Sequence, residues 1–325
     1  MIKKGFLIVF LLTLMLGLQA QQQPLKFTVA QDGSGDFKTI QEAVNMVRDH
    51  SQQTVTIFIK NGTYHEKLVI PSWKKNISLI GESKEKTIIT NDDYSGKDFP
   101  NKDFTGNAKY STYTSYTVLM QGNDCSVENL TIKNTAGKVG QAVALMIEAD
   151  RCVVKNCAIL GNQDTLYLAK DGRNYFEGCY IEGTTDFIFG EATVVFKNCT
   201  IKSLQNSYIT AASTTKEQAF GFVFLSCKLI AADGIDKVYL GRPWRPYAKT
   251  VFIQTEMNAQ IKPQGWDPWK GDAMFPDKEK TVFYAEYKNL GAGAEISNRV
   301  KWAHQLKSAE AKKYTIKNIF RDWNP

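Results

Sequence analysis

Five short segments, "ENLTI", "KNCAI", "EGCYI", "KNCTI" and "LSCKL", align on Leu130, Cys157, Cys179, Cys199 and Cys227, each two residues before an Ile or Leu. The steps between them are 27, 22, 20 and 28 residues. Self-similarity at 20 to 30 residues, built from short alternating strands separated by Gly, Asn and Asp, predicts a solenoid whose coils stack over one continuous core. A parallel β-helix fits this spacing. Leucine-rich repeats are the nearest alternative, but their leucine pattern is missing and nothing helical recurs between the strands. The cysteines then form an inward ladder of small buried hydrophobes. Cys179 and Cys199, one coil apart, are close enough in this geometry to form a disulfide instead.

The ends of the solenoid read as lids. "DFKTIQEAVNMVRDH" spaces Ile40, Ala43, Val44 and Val47 at helical intervals behind a cap at Asp36 or Thr39, which predicts an amphipathic helix over the first coil. "SAEAKKY" from Ser308 predicts a short capped helix near Trp302 and Ile316. The run from Asn91 to Tyr116 lacks strand periodicity and reads as a long loop, which either walls a cleft or stands as a solvated insertion.

Residues 1–20, "MIKKGFLIVFLLTLMLGLQA", have the basic start, short apolar run and small-residue ending of a secretory signal. A membrane anchor is the alternative, but the apolar run is shorter than the ~20 residues that span a bilayer. The expected organisation is therefore a signal over 1–20 and a single domain over 21–325, exported to the periplasm or beyond. Loss of Lys3 and Lys4 with the signal lowers the formal charge from +7 to +5, spread along the chain, which argues against a nucleic-acid arm.

Coil arithmetic brings certain polar residues together. Asp164 in "GNQDTLY" lies seven residues after Cys157, and Asp186 in "TTDFIFG" lies seven after Cys179. The two acids should occupy the same position on consecutive coils, ~4.8 Å apart along the stack. By the same reckoning the next coil offers Asn206 rather than a third acid. Gln141 and Gln163 are also 22 apart, so two amides and two acids converge. Close like charges push one acid towards its protonated form while its partner stays anionic, and amide N–H groups suit a developing oxyanion. The alternative is that the acids cap turns and the amides ladder. Only His50, His65 and His304 are present, none close in sequence, and no G-x-S-x-G elbow occurs, which argues against a serine triad. "YLGRPWRPY" adds Arg242, able to grip a carboxylate, and Trp244, able to stack on a sugar ring.

Taken in order, "DGSGDFKTIQEAV", "GTYHEKL", "QAVAL", "GNQDTLY", "DFIFG" and "YLGRPW" resemble the motifs of the pectin methylesterases, a pectinesterase family of carbohydrate esterases. "WAHQLKSAEAKKYTIKNIF" is similar to their C-terminal end, and the likeness runs from about residue 27 to the end of the chain. The resemblance implies an all-β, right-handed parallel β-helix with short helical caps, acting on methyl-esterified polygalacturonan without metal or cofactor; a monomer is the expected state. It further implies Asp186 as nucleophile, Asp164 as general acid and then base, and Gln141 and Gln163 as oxyanion donors. Arg242 would orient Asp186, and Trp244, Tyr167 and Phe189 would line the sugar cleft.

Three other readings fit parts of this pattern. A polygalacturonase or pectate lyase of the same fold needs a further acid cluster, for glycosidic attack or for Ca²⁺. An esterase or thioesterase could use the same residues on a non-pectic ester. A non-catalytic polysaccharide-binding solenoid would keep Trp244 but have no use for stacked acids.

Overall fold

The computed structural model describes residues 25–100 and 106–325; the signal expected over 1–20 lies outside these residues. Every paired strand is parallel to its neighbour, and the strands form three sheets of eleven, eight and seven members in which each neighbour is one coil away. One coil illustrates the winding: Arg173–Glu177 belongs to the eleven-stranded sheet, Tyr180–Gly183 to the eight-stranded and Ile188–Gly190 to the seven-stranded. This is a parallel β-helix, wound with the right hand that governs parallel crossover connections. No helix among the described residues is long and apolar enough to cross a membrane.

The repeat seen in the sequence is the register of the eight-stranded sheet. Ile132, Ile159, Ile181, Ile201 and Leu229 are successive Cα partners, and all are buried. The cysteines just before them are buried too, and all six thiols are free, so Cys179 and Cys199 pack rather than bridge. On the eleven-stranded sheet Phe176, Phe196, Phe224 and Phe252 form a second internal ladder, with successive ring centroids 5.0, 4.5 and 4.3 Å apart. These spacings match the distance between adjacent strands, so each ring stacks face to face on its neighbour.

The corner between these two sheets explains the residue that precedes each ladder position. Asn129, Asn156, Gly178, Asn198 and Ser226 all have positive φ, from 48° to 62°. Left-handed backbone disfavours most side chains but is tolerated by Gly and Asn, whose short side chain also bonds locally. Asn156 donates its carboxamide N–H to the Asn129 side chain at 3.0 Å, joining two coils at this corner.

The N-terminal lid is as expected: helix Ile40–Met46 starts at Thr39, whose hydroxyl accepts from the Glu42 N–H while Glu42 accepts from the Thr39 N–H. Ile40, Ala43 and Val44 close over the first coil. The C-terminal expectation needs correction. The helices Ser308–Ala311 and Ile316–Phe320 do not cap the last coil. They run back along the outside of the eleven-stranded sheet, where Ile319 and Phe320 cover Tyr175, Val195 and Val223. The reason is that this outer face is apolar and needs a cover, while Val300, Trp302 and Ala303 already pack against the end of the core.

Candidate active site

The seven-stranded sheet carries the polar cluster on its outer side. Gln141 and Gln163 form a parallel bridge between consecutive coils, and the Ala142 N–H donates to the Gln163 carbonyl at 3.1 Å. Leu166 pairs with Ile188, which puts Asp164 and Asp186, each two residues earlier, at equivalent places on adjacent coils. Both have positive φ, 64° and 49°, a conformation Asp accepts more readily than most residues. The next coil differs from expectation: Ile188 pairs with Thr210, so the residue following in this stack is Tyr208, not Asn206. The connection after Thr200–Ser203 is two residues longer than its predecessor, since Ile181 pairs with Ile201 20 residues on while Ile188 pairs with Thr210 22 on. Asn206 instead bonds to the turn at Asp236 and Lys237.

Arg242 reaches this cluster from strand Tyr239–Pro243, two coils beyond Asp186. Its Nε donates to Asp186 Oδ1 at 3.0 Å and a terminal nitrogen to Oδ2 at 2.6 Å, the fork geometry of a bidentate pair. Gly241 makes the approach possible, because a Cβ there would sit 1.9 Å from the Thr210 hydroxyl oxygen.

The two acids sit in different electrostatic settings. Burial, and next the charge of Asp186, push the Asp164 carboxyl up to about 8, with Arg242 opposing from a distance. Burial also pushes Asp186 above the ordinary carboxylate range, but there the guanidinium is hydrogen-bonded and pulls the other way. Among the described residues no donor or cation is bonded to the Asp164 carboxyl. Of the pair, Asp186 therefore holds the negative charge and Asp164 the proton, the separation of roles that close carboxylates adopt.

A cleft of about 240 Å³ opens over these groups, lined by Gln141, Gln163, Asp164, Asp186, Arg242 and the rings of Phe189, Trp244, Trp269 and Tyr113, with Thr112 and Ala211. The geometry thus unites the acids, amides and arginine expected from sequence. Tyr167 stacks on Phe189 at 4.4 Å and meets Trp244 edge-on at 6.4 Å, so it supports the aromatic wall from beside the cleft. Thr112 and Tyr113 come from the long loop, which therefore walls the cleft. Lys67 pins that loop through Asp93 at 2.8 Å and the rings of Tyr110 and Tyr116.

Sequence reasoning missed Trp269, Tyr208 and Tyr113. The Arg242 guanidinium lies 3.7 Å from the Trp269 ring centroid and 4.0 Å from that of Tyr208. "GWDPW" ending at Trp269 was an available signal, since two tryptophans in an otherwise polar turn are costly to leave in water.

Fold and site together define a class: parallel β-helix proteins that present an acid pair, one of them held by an arginine, in an open aromatic-walled groove on one sheet. The pectinesterase family model matches residues 26–322. "Probable pectinesterase/pectinesterase inhibitor 58" of Arabidopsis thaliana is 37% identical over 316 residues, covering 91% of this chain and 52% of that protein. Among solved structures, pectin methylesterase from carrot superposes with a TM-score of 0.80 at 35% identity, over 90% of this chain and 92% of that one. Pectin methylesterase PemA from Erwinia chrysanthemi gives 0.79 at 32% identity, over 92% and 97% of the two chains. The chain belongs to the pectinesterase family. It spans about half the length of the first curated relatives it matches.

Proposed function

We propose that this protein hydrolyses the methyl esters of galacturonate units in pectin, releasing methanol and leaving pectate, with Asp186 as the nucleophile. The observation that carries this reading is the asymmetry of the acid pair, in which only Asp186 is gripped by Arg242 while Asp164 is pushed up to about 8. Family membership and the likeness to solved pectin methylesterases support the substrate class.

The Asp186 carboxylate attacks the ester carbonyl carbon, and the negative charge moves to the carbonyl oxygen, where the N–H groups of Gln141 and Gln163 meet it. Neither carboxamide is hydrogen-bonded among the described residues, so both are available. As the tetrahedral adduct collapses, the bond to the methoxy oxygen breaks and Asp164 gives that oxygen its proton, so methanol leaves rather than methoxide. The acyl group now forms a mixed anhydride with Asp186. Asp164, now anionic, takes a proton from water, the hydroxyl adds to the acyl carbon, and Asp186 departs as carboxylate. Asp164 ends protonated, as it began.

Trp244 and Phe189 offer flat apolar faces for sugar rings along the cleft. Export by the segment 1–20, ahead of a single domain, suits a polymeric substrate outside the cell. The deciding experiment measures methanol and new reducing ends together on highly methylated pectin. Methanol without reducing ends is the expected result; reducing ends would indicate chain cleavage, and neither product would return the fold to a binding role. Asp186→Asn should fold and release no methanol, because an amide cannot form the acyl intermediate; substantial turnover would remove the covalent step.

A further inference from the structure

The Trp269 ring carries two cations. Besides the Arg242 guanidinium at 3.7 Å, the Lys278 ammonium lies 4.5 Å from its centroid. Like charges this close repel, and a buried lysine is rare without a partner. The arrangement holds because each cation has its own carboxylate: Asp186 for Arg242, and Asp272 for Lys278 at 2.7 Å. The Lys278 side chain has 0% exposure, against 19% for Asp272.

Asp272 is itself built into the turn. It accepts the backbone N–H groups of Met274 at 3.0 Å and Phe275 at 3.3 Å through its other oxygen. Trp269 needs such support, since its φ of 55° is costly for a bulky residue. On its other side its backbone N–H donates to Asp267 at 2.7 Å. Lys278 is outside the set of residues lining the cleft, so it acts only through its neighbours.

We propose that Lys278, tethered by Asp272, is a positioning residue that holds the Trp269 indole against Arg242 and so fixes the angle at which Arg242 presents its fork to Asp186. The proposal rests on the reading of Asp186 as nucleophile. A guanidinium has freedom to swing about a long side chain, and an aromatic face on which it stacks removes most of that freedom. Tyr208, 4.0 Å from the same guanidinium, contributes a second face. The indole would drift from Arg242 without the ammonium that anchors it, and the Asp186 carboxylate would lose part of its stabilisation. The other charged or titratable groups acting on Asp186 or near it are Asp164, Asp267, Tyr208 and Tyr284.

The test compares Lys278→Met, Lys278→Arg and Asp272→Asn in the full chain. Three measurements are made: steady-state methanol release, the titration of Asp186 by carboxyl ¹³C NMR (assigned with Asp186→Asn), and the near-ultraviolet circular dichroism of the indoles. Lys278→Met is expected to lower kcat about tenfold, the scale of a modest misplacement of a catalytic group. KM should change less than kcat, because Lys278 itself lines no part of the cleft. The Asp186 midpoint should move up, and the indole spectrum should change in the direction given by Trp269→Phe. Lys278→Arg should restore all three. Asp272→Asn, at the more exposed end of the tether, should reproduce the pattern at smaller size and decides the matter if Lys278→Met does not fold. Unchanged kcat and Asp186 midpoint in a folded variant would overturn the proposal, as would a loss that Lys278→Arg fails to rescue. If the wild-type chain releases no methanol, the functional reading fails, while the titration and the indole spectrum still judge the tether.

Discussion

Arg242 and Asp186 are joined by two parallel hydrogen bonds of 3.0 and 2.6 Å, although they are 56 residues apart in sequence. The pair distinguishes two otherwise equivalent acids. A charge placed among Phe187, Ile188 and Phe189 is costly unless paired, and this pairing is what makes an ionised Asp186 tenable there. Replacement of Arg242 by Lys keeps the charge but loses the fork and the flat face that stacks on Trp269. Arg242→Lys should therefore lower kcat by roughly 10²-fold, with the methanol assay as the check. A loss confined to KM would assign Arg242 to substrate binding.

In the proposed mechanism the two amides share one task, so each should contribute only part of it. Gln141→Ala or Gln163→Ala should reduce turnover by roughly 10² to 10³, the usual effect of removing one oxyanion donor. The double variant should lose less than the product of the single losses, because residues that act as a unit are not additive. Steady-state kinetics on methylated pectin measure both.

The acid pair sets a pH dependence whose sign follows from Asp164. In the proposed mechanism Asp164 begins protonated, and burial beside Asp186 pushes it up to about 8. Activity should therefore rise as the pair loses its first proton and fall as pH passes through about 8 and the second is lost. The two limbs belong to the coupled pair. Asp164→Asn should remove the alkaline limb and most of the turnover on methyl esters. It should spare more activity on p-nitrophenyl esters, whose alcohol leaves without a proton. Equal losses on both substrates would show that Asp164 is not the acid.

Stability should depend on the internal ladders rather than on the site. Phe196 lies between Phe176 and Phe224 with no exposure. Phe196→Ala should cost about 3–5 kcal/mol, since the rigid stack cannot collapse into the gap. Chemical denaturation measures it, and a cost below about 1 kcal/mol would mean that the neighbouring coils repack.

By itself the sequence determined the repeat and whatever follows from it. Equivalent positions recur once per coil, so counting from Cys157 and Cys179 was enough to stack Asp164 on Asp186 and Gln141 beside Gln163. The capped helix at Thr39 was legible for the same reason, because capping and amphipathic spacing are local. Tertiary structure decided everything that depends on the connections between strands, whose lengths vary from coil to coil. Two extra residues before Tyr208 moved Asn206 out of the acid stack, and an uncovered apolar flank drew Ile319 and Phe320 away from the last coil. Trp269, Lys278 and Tyr113 reach the cleft region from such connections, where no period relates sequence distance to spatial distance. A strand repeats its geometry because its hydrogen bonds are made to the coil beneath it; a turn takes its path from whatever surface it meets, and that surface exists only once the coils have stacked.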